Sequence, residues 1–209
     1  ANLRNASLNN AILDNANLSG SNLSGADLSG ANLNKAKLNK IDLIDADLRN
    51  AYLIDADLIG AYLHNANFNG ADLSGADLSE TDLRNAILRS ANLSIVNLSE
   101  ADIRYADLRY ADLSGADLSK TDLSHAILND ADLNGTDLSH ACVGWTSFGD
   151  MDLRIVKGLD TVDHSGPSPL SINTLYLSNG DIPEQFLRGT GAQDTFIEYV
   201  KSLTSRPIE

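Results

Sequence analysis

The chain has little with which to build an ordinary core or an ordinary active site. It contains one cysteine, Cys142, so no intrachain disulfide can form, and no signal-peptide pattern opens it. Both observations place the expected compartment in the cytoplasm. Aromatic residues make up only 5% of the 209 positions, and proline occurs four times. No apolar run approaches the roughly 20 residues that span a bilayer, so no membrane partner is expected. Positive charge is scarce as well: 15 Lys and Arg stand against 29 Asp and Glu, a net charge of −14, which argues against direct binding of nucleic acid. Histidine occurs at 64, 125, 140 and 164 with no H-x-x-x-H spacing, so no metal site or cofactor is expected. His64, His125 and His140 read as surface residues. His164, beside Gly166 and Pro167, reads as a turn residue bonded to nearby backbone.

What is present is one five-residue pattern, small, polar, Leu, polar, variable, running from Ala1 to Ile155 without insertion. Dividing 155 by five gives 31 units, centred on Leu3, Leu8, Leu13 and onward to Leu153; only Phe68, Ile103, Val143 and Phe148 depart from Leu. The slot two residues before each centre is mostly Ala. Such self-similarity marks a repeat architecture.

A period of five fits neither a helix at 3.6 residues per turn nor a flat strand at 2.0, so the chain must turn within every unit. In a short extended stretch, Ala1 and Leu3 share the inward face, Asn2 points outward, and Arg4 and Asn5 form a corner. Successive turns of the chain then pair at about 4.8 Å around a lumen filled with Leu and Ala. Burial of each Leu contributes about 1.5–3 kcal/mol, and many stacked coils can offset a backbone entropy that one coil could not.

Units such as Ala16-Asn17-Leu18-Ser19-Gly20, Ala71-Asp72-Leu73-Ser74-Gly75 and Ala111-Asp112-Leu113-Ser114-Gly115 resemble those of the pentapeptide-repeat proteins. The resemblance implies an all-β solenoid, a right-handed quadrilateral β-helix with four units per coil, about eight coils over residues 1–155. The rod would then be roughly 37 Å long at the strand spacing. The chain opens in register at Ala1 without a polar cap, so that end is expected either to be trimmed or to meet another molecule.

Residues 156–209 change character and read as a connection followed by a small helical cap or linker. Asp181-Ile182-Pro183-Glu184 has the form of a capping box with Asp181 as N-cap, opening a helix that carries Phe186 and Leu187 and ends near Gly189. A second helix begins near Asp194 and places Phe196, Ile197, Val200 and Leu203 on one side. That apolar side is expected either to cap the last coil or to form a homodimer seam. The segments Gly158-Leu159-Asp160-Thr161-Val162, His164-Ser165-Gly166-Pro167-Ser168 and Ile182-Pro183-Glu184-Gln185-Phe186-Leu187-Arg188-Gly189 resemble the stretch that joins pentapeptide repeats to a TIR domain in large cyanobacterial and other prokaryotic proteins. That resemblance implies an accessory module of a signalling or defence protein.

A lumen packed with Leu and Ala leaves no pocket, no serine has a His and Asp arrangement around it, and no small-molecule substrate is expected. The chain reads as a non-enzyme with a protein partner. Four-sided winding stacks residues 20 apart, which places Asp82, Asp102 and Asp122 in one outer column and Asp112, Asp132 and Asp152 in another. The resemblance brings in a second reading, DNA mimicry, because the family includes quinolone-resistance proteins that occupy the DNA site of DNA gyrase. Residues 1–155 hold 22 acidic and 11 basic residues, net −11. Over roughly 37 Å that is about half the charge density of duplex DNA. A third reading is an independent oligomerising rod.

Two surfaces are candidates for a partner. Arg84 stacks with Arg104 and Arg89 with Arg109, adjoined by Tyr105 and Tyr110, and Tyr105 shares a column with His125 and Trp145. Tyr52, Ile54 and Ile59 form a second, apolar candidate, with Ile12 in the column of Tyr52. Inside and outside are sharply divided in this scheme. Leu73→Asp, which buries an unpaired charge, should therefore prevent folding, whereas Ser74→Asp should shift stability by less than about 0.5 kcal/mol, as read by thermal melts followed by circular dichroism.

Overall fold

The computed structural model describes residues 1–205. Nearly every unit turns through a β-turn in which the N–H of the small residue donates to the carbonyl of the central residue three positions earlier, as from Ala26 to Leu23 at 3.0 Å. The third residue of that turn has positive φ at every fifth position from Asn5 to Asp150, the signature of a type II turn. Glycine fills some of these corners, Asn and Asp many others, as the left-handed region favours.

Parallel bridges join residues 20 apart, from Asn2 with Asn22 to Asp137 with Lys157, which establishes four units per coil. Within each unit the backbone accounts for all but one amide. The outward residue donates to the coil before, as from Asp27 to the Ala6 carbonyl, while Leu and the corner residue donate to the coil after, as from Leu28 to Asp47 and Gly30 to Arg49. The amide left over belongs to the residue after Leu. It donates to the side chain of the outward Asn or Asp two residues earlier: Ser24 to Asn22 at 3.0 Å, Ser74 to Asp72 at 3.0 Å, Ser139 to Asp137 at 2.8 Å. The repeating Asn and Asp are therefore part of the turn as well as of the surface.

From Leu23 onward the inward Leu and Ala are fully buried, and Phe68 sits among them with no exposure. Threonine replaces Ala where its hydroxyl finds a carbonyl: Thr81 Oγ1 donates to Leu78 and Thr136 Oγ1 to Leu113. Leu3, Leu8, Leu13 and Leu18 of the first coil are only partly covered.

The winding continues past residue 155, where the sequence pattern ends. Lys157 pairs with Asp137 in register, but strand β1 (Cys142–Val143) pairs with β2 (Asp163–His164) at an offset of 21, and Phe148 pairs with Leu170 at 22. Val156 and Leu159 thus complete the eighth coil, and Val162 opens an irregular ninth, all three pointing inward. The Gly-Pro segment expected as a free connection is paired as well: Trp145 N–H donates to Pro167 and Phe148 N–H to Pro169.

Three helices follow, where two were expected. Helix α1 (Ile172–Leu177) is N-capped by Ser171, and it closes what the eighth coil leaves open: Leu153 N–H donates to Ser178 Oγ and Met151 N–H to Thr174 Oγ1. Helix α2 (Glu184–Gly189) starts at Glu184 with Pro183 at the N-cap and no side-chain cap, so the Asp181 capping box does not form. Helix α3 (Asp194–Ser205) buries Ile197 and Val200 and packs Leu203 against the core. Phe196 is turned away from that face, half-exposed beside Tyr199. Phe186 and Leu187 of α2 are fully buried, Phe186 edge-on to Phe148 at 5.5 Å.

Two outcomes follow from this geometry. Asp72→Ala should cost about 1 kcal/mol in urea unfolding by orphaning the Ser74 amide, and Asp72→Asn should restore it, because Asn92 makes the same bond. Deleting residues 181–209 leaves the last strand edge paired by residues 156–178 but removes the cover of Phe148 and Leu175. Light scattering should then report association of the shortened chain.

Candidate interaction surfaces

Each coil contributes one unit to each side of the rod. Face 1 holds units 1–5, 21–25 and so on, and faces 2, 3 and 4 follow in chain order. On face 1, the guanidinium of Arg84 grips Asp82 through Nε and Nη2 and reaches Asp102, and Arg104 grips Asp102 the same way and reaches Asp122. On face 2, Arg89 and Arg109 both bind Asp107. The Asp columns that would repel are thereby threaded with cations. The Arg84 hydrogen bond holds the Asp82 carboxyl below its ordinary range, and Asp82 and Asp102 hold the Arg84 guanidinium above its own. These pairs are half-exposed, so they order the arginines more than they stabilise the fold.

Along the corner between these faces, Tyr105, His125 and Trp145 form a continuous stack. Ring centroids lie 4.5 Å apart with an interplanar angle of 8°, then 5.0 Å with 9°. The 20-residue winding dictates the spacing, and Gly166 closes the end: a Cβ there would stand 2.6 Å from the Trp145 ring. Tyr110 marks the far corner of face 2, and Ile87 and Ile127 lie above and below Asp107 in the column between. The structure thus places Arg84 and Arg104 on face 1 and Arg89 and Arg109 on face 2, with Tyr105 at the corner between them and Tyr110 at the far corner of face 2.

The second candidate is divided. Tyr52 and Ile54 lie on face 3, whereas Ile59 lies round the next corner on face 4, and Ile54 and Ile59 are half-buried. Tyr52 instead joins Asn10, Ser29, Gly30, Arg49 and Asn50 around an open groove of about 360 Å³.

Charge is segregated around the rod. Between residues 71 and 140, faces 3 and 4 carry Asp72, Asp77, Glu80, Glu100, Asp112, Asp117, Asp132 and Asp137 against Lys120, a net of −7 by 1 − 8. Faces 1 and 2 carry Asp82, Asp102, Asp107, Asp122 and Asp130 against four arginines, a net of −1 by 4 − 5.

Among the exposed apolar residues that sequence reasoning overlooked, two lie within the coils beside the candidate surfaces. Tyr62 stands outward on face 1. Ile95 stands at a corner, 74% exposed, with φ 57°, and it alone of the corner residues with positive φ is β-branched. The signal was available: before Ile155, which ends the pattern, position five elsewhere holds Gly or a polar or aromatic residue. His164 departs from expectation too, since both its ring nitrogens are buried with no hydrogen-bond partner among the described residues. Cys142 is a free thiol beside Ser124. Among the described residues, no group of three or more His, Cys, Asp or Glu could hold a metal ion, and no helix is long and apolar enough to cross a membrane.

A parallel solenoid of five-residue turns, with the surface divided between an acidic side and an aromatic and arginine side, defines a repeat protein. The sequence matches the pentapeptide repeats, eight copies, over residues 1–39, 41–79, 66–104, 76–115 and 111–150, and the chain belongs to that family. HetL of the cyanobacterium Nostoc sp. strain PCC 7120, a pentapeptide-repeat protein involved in the regulation of heterocyst differentiation, is 32% identical over 80% of this chain and 87% of its own, with a TM-score of 0.43. A trypsin-treated form of QnrB1, a plasmid-mediated fluoroquinolone resistance protein, is 24% identical over 83% of this chain and 84% of its own, with a TM-score of 0.56, a likeness of fold. No curated protein sequence matches the chain.

The strained corner gives a test. Ile95→Asn should raise stability by about 1 kcal/mol in urea unfolding, because it replaces a β-branched residue in the left-handed region by one that enters it readily.

Proposed function

We propose that this chain is a non-enzymatic protein-binding scaffold whose partner docks on faces 1 and 2 between residues 81 and 145. The observation that carries this reading is the Tyr105, His125 and Trp145 stack standing beside arginines already fixed by Asp82, Asp102 and Asp107. Tyr, Trp and Arg dominate the energetics of protein interfaces, and side chains ordered before docking lose less entropy on binding. This side is also nearly neutral on an otherwise acidic rod, so it repels an incoming protein least. The resemblance of segments 158–162, 164–168 and 182–189 to the stretch that precedes a TIR domain supports placing the scaffold, residues 1–155 with its connection and cap, within a larger signalling or defence protein in the cytoplasm.

A second reading, mimicry of DNA toward gyrase or another DNA-binding protein, is favoured by the net charge of −7 on faces 3 and 4. Two experiments separate them. Proteins captured from a cell extract by the wild-type chain and by an Asp112→Ser, Asp132→Ser variant, but lost about tenfold or more with Tyr105→Ala, Arg109→Ala, support the scaffold reading. Inhibition of gyrase supercoiling by the wild-type chain at low concentration, abolished by the Asp→Ser pair and retained by the Tyr105 and Arg109 variant, would replace it with mimicry.

A further inference from the structure

The cap rests on an imidazole that has no means of carrying a charge in place. His164 leaves β2 and enters the space under α2, where Phe186 meets it edge-on at 5.2 Å and the α2 backbone closes over it: a Cβ on Gly189 would stand 2.1 Å from its Cδ2. Neither Nδ1 nor Nε2 has a partner among the described residues, and both are shut off from solvent. A neutral ring already pays for this burial, since one nitrogen must donate and one accept. An imidazolium needs two acceptors, and among the described residues nothing that packs on the ring supplies them. On β1, Val143 is its register partner, while Cys142 lies opposite Asp163. On α2, the facing groups are Phe186 and Gly189; the charged Glu184 and Arg188 are engaged with Lys201 and Asp194 of α3. Asp163, the chain neighbour, is exposed and is the one charge that favours the protonated ring.

We propose that His164 is an acid-sensitive latch for the cap: protonation of its ring forces water to both nitrogens, which lifts α2 and, through their shared contacts, α3, while the coils stay wound. Burial holds the His164 pKa below its ordinary value, with Asp163 opposing in part. The open state therefore takes up a proton more readily than the closed one. Cap stability is complete above about pH 6.5 and declines as pH falls below that value, until the closed-state pKa is passed. The ion pairs of Glu184 act in a different range, because Lys201 and Arg188 hold its carboxyl below the usual carboxylate value and those pairs survive until more acidic pH. Opening uncovers Phe186, Leu187 and Phe148, an apolar surface at one end of the rod.

Hydrogen exchange of the whole chain, corrected for the intrinsic effect of pH, tests the latch. Between pH 7.5 and 5.5, residues 184–203 should lose protection, with about tenfold as the ceiling set by one pH unit below the ordinary histidine value, while residues 61–120 keep theirs. His164→Leu, which fills the space without titrating, should show no such step. A wild-type cap indifferent to pH, or a Leu variant with the same loss, would overturn the proposal. If that variant does not fold, carbon-labelled imidazole resonances of the wild-type chain decide the matter. His164 titrating below its ordinary value, in step with α2 exchange, supports the latch, and His164 titrating at or above its ordinary value with α2 still protected sinks it.

Discussion

Everything in this molecule depends on a corner. Every fifth residue adopts positive φ and the next amide closes a turn onto the preceding Leu, so the chain bends after each short extended stretch. Four such bends return it to its starting side one coil higher, where the backbone pairs with itself. The lumen follows from this and does not cause it. Leu and Ala are the side chains that fill the width four corners leave, and Thr enters only where a backbone carbonyl can take its hydroxyl. Because each coil touches only its neighbours, the rod gains stability by accumulation along one direction.

The same stacking organises the surface. Residues 20 apart share a column at strand spacing, so a single substitution has little consequence but a repeated one makes a stripe. Tyr105, His125 and Trp145 become a stack, Arg84 and Arg104 thread a column of aspartates, and Asp107 is shared by two arginines. Position two of a unit is expensive to alter, because its Asn or Asp satisfies a turn amide. Where it is Tyr52, that bond is lost, and the Ile54 amide is rescued by Asn34 from the coil before.

Much of this was legible in the chain itself. The inward and outward slots followed from the period, and the first candidate surface followed from 20-residue columns once four sides were assumed. The number of sides came from resemblance, since a period of five permits other polygons. The irregular ninth coil and the end of the eighth were not legible, because one and then two extra residues break the five-residue register, so Val156, Leu159 and Val162 read as loop. Helix α1 escaped notice because its role is polar: Ser178 and Thr174 answer backbone amides that only the folded edge reveals. The Asp181 capping box was a local pattern overruled by Pro183, which occupies the N-cap itself. His164 was misassigned for a related reason, since a histidine next to Gly-Pro looks like a turn residue until α2 is seen lying over it.

The leftover amide of each unit accepts no preference between Asn and Asp: Asn22 and Asp72 hold it equally at 3.0 Å. Shape and charge are therefore separable in this architecture. Mutation can move a single coil from neutral to acidic through one nucleotide change per unit without disturbing a single backbone bond. What distinguishes the two is the neighbouring coil, where Asn22 Nδ2 donates to Asp42 and Asn97 Nδ2 to Asp77, so an amide placed over a carboxylate turns a repulsive column into a bonded one.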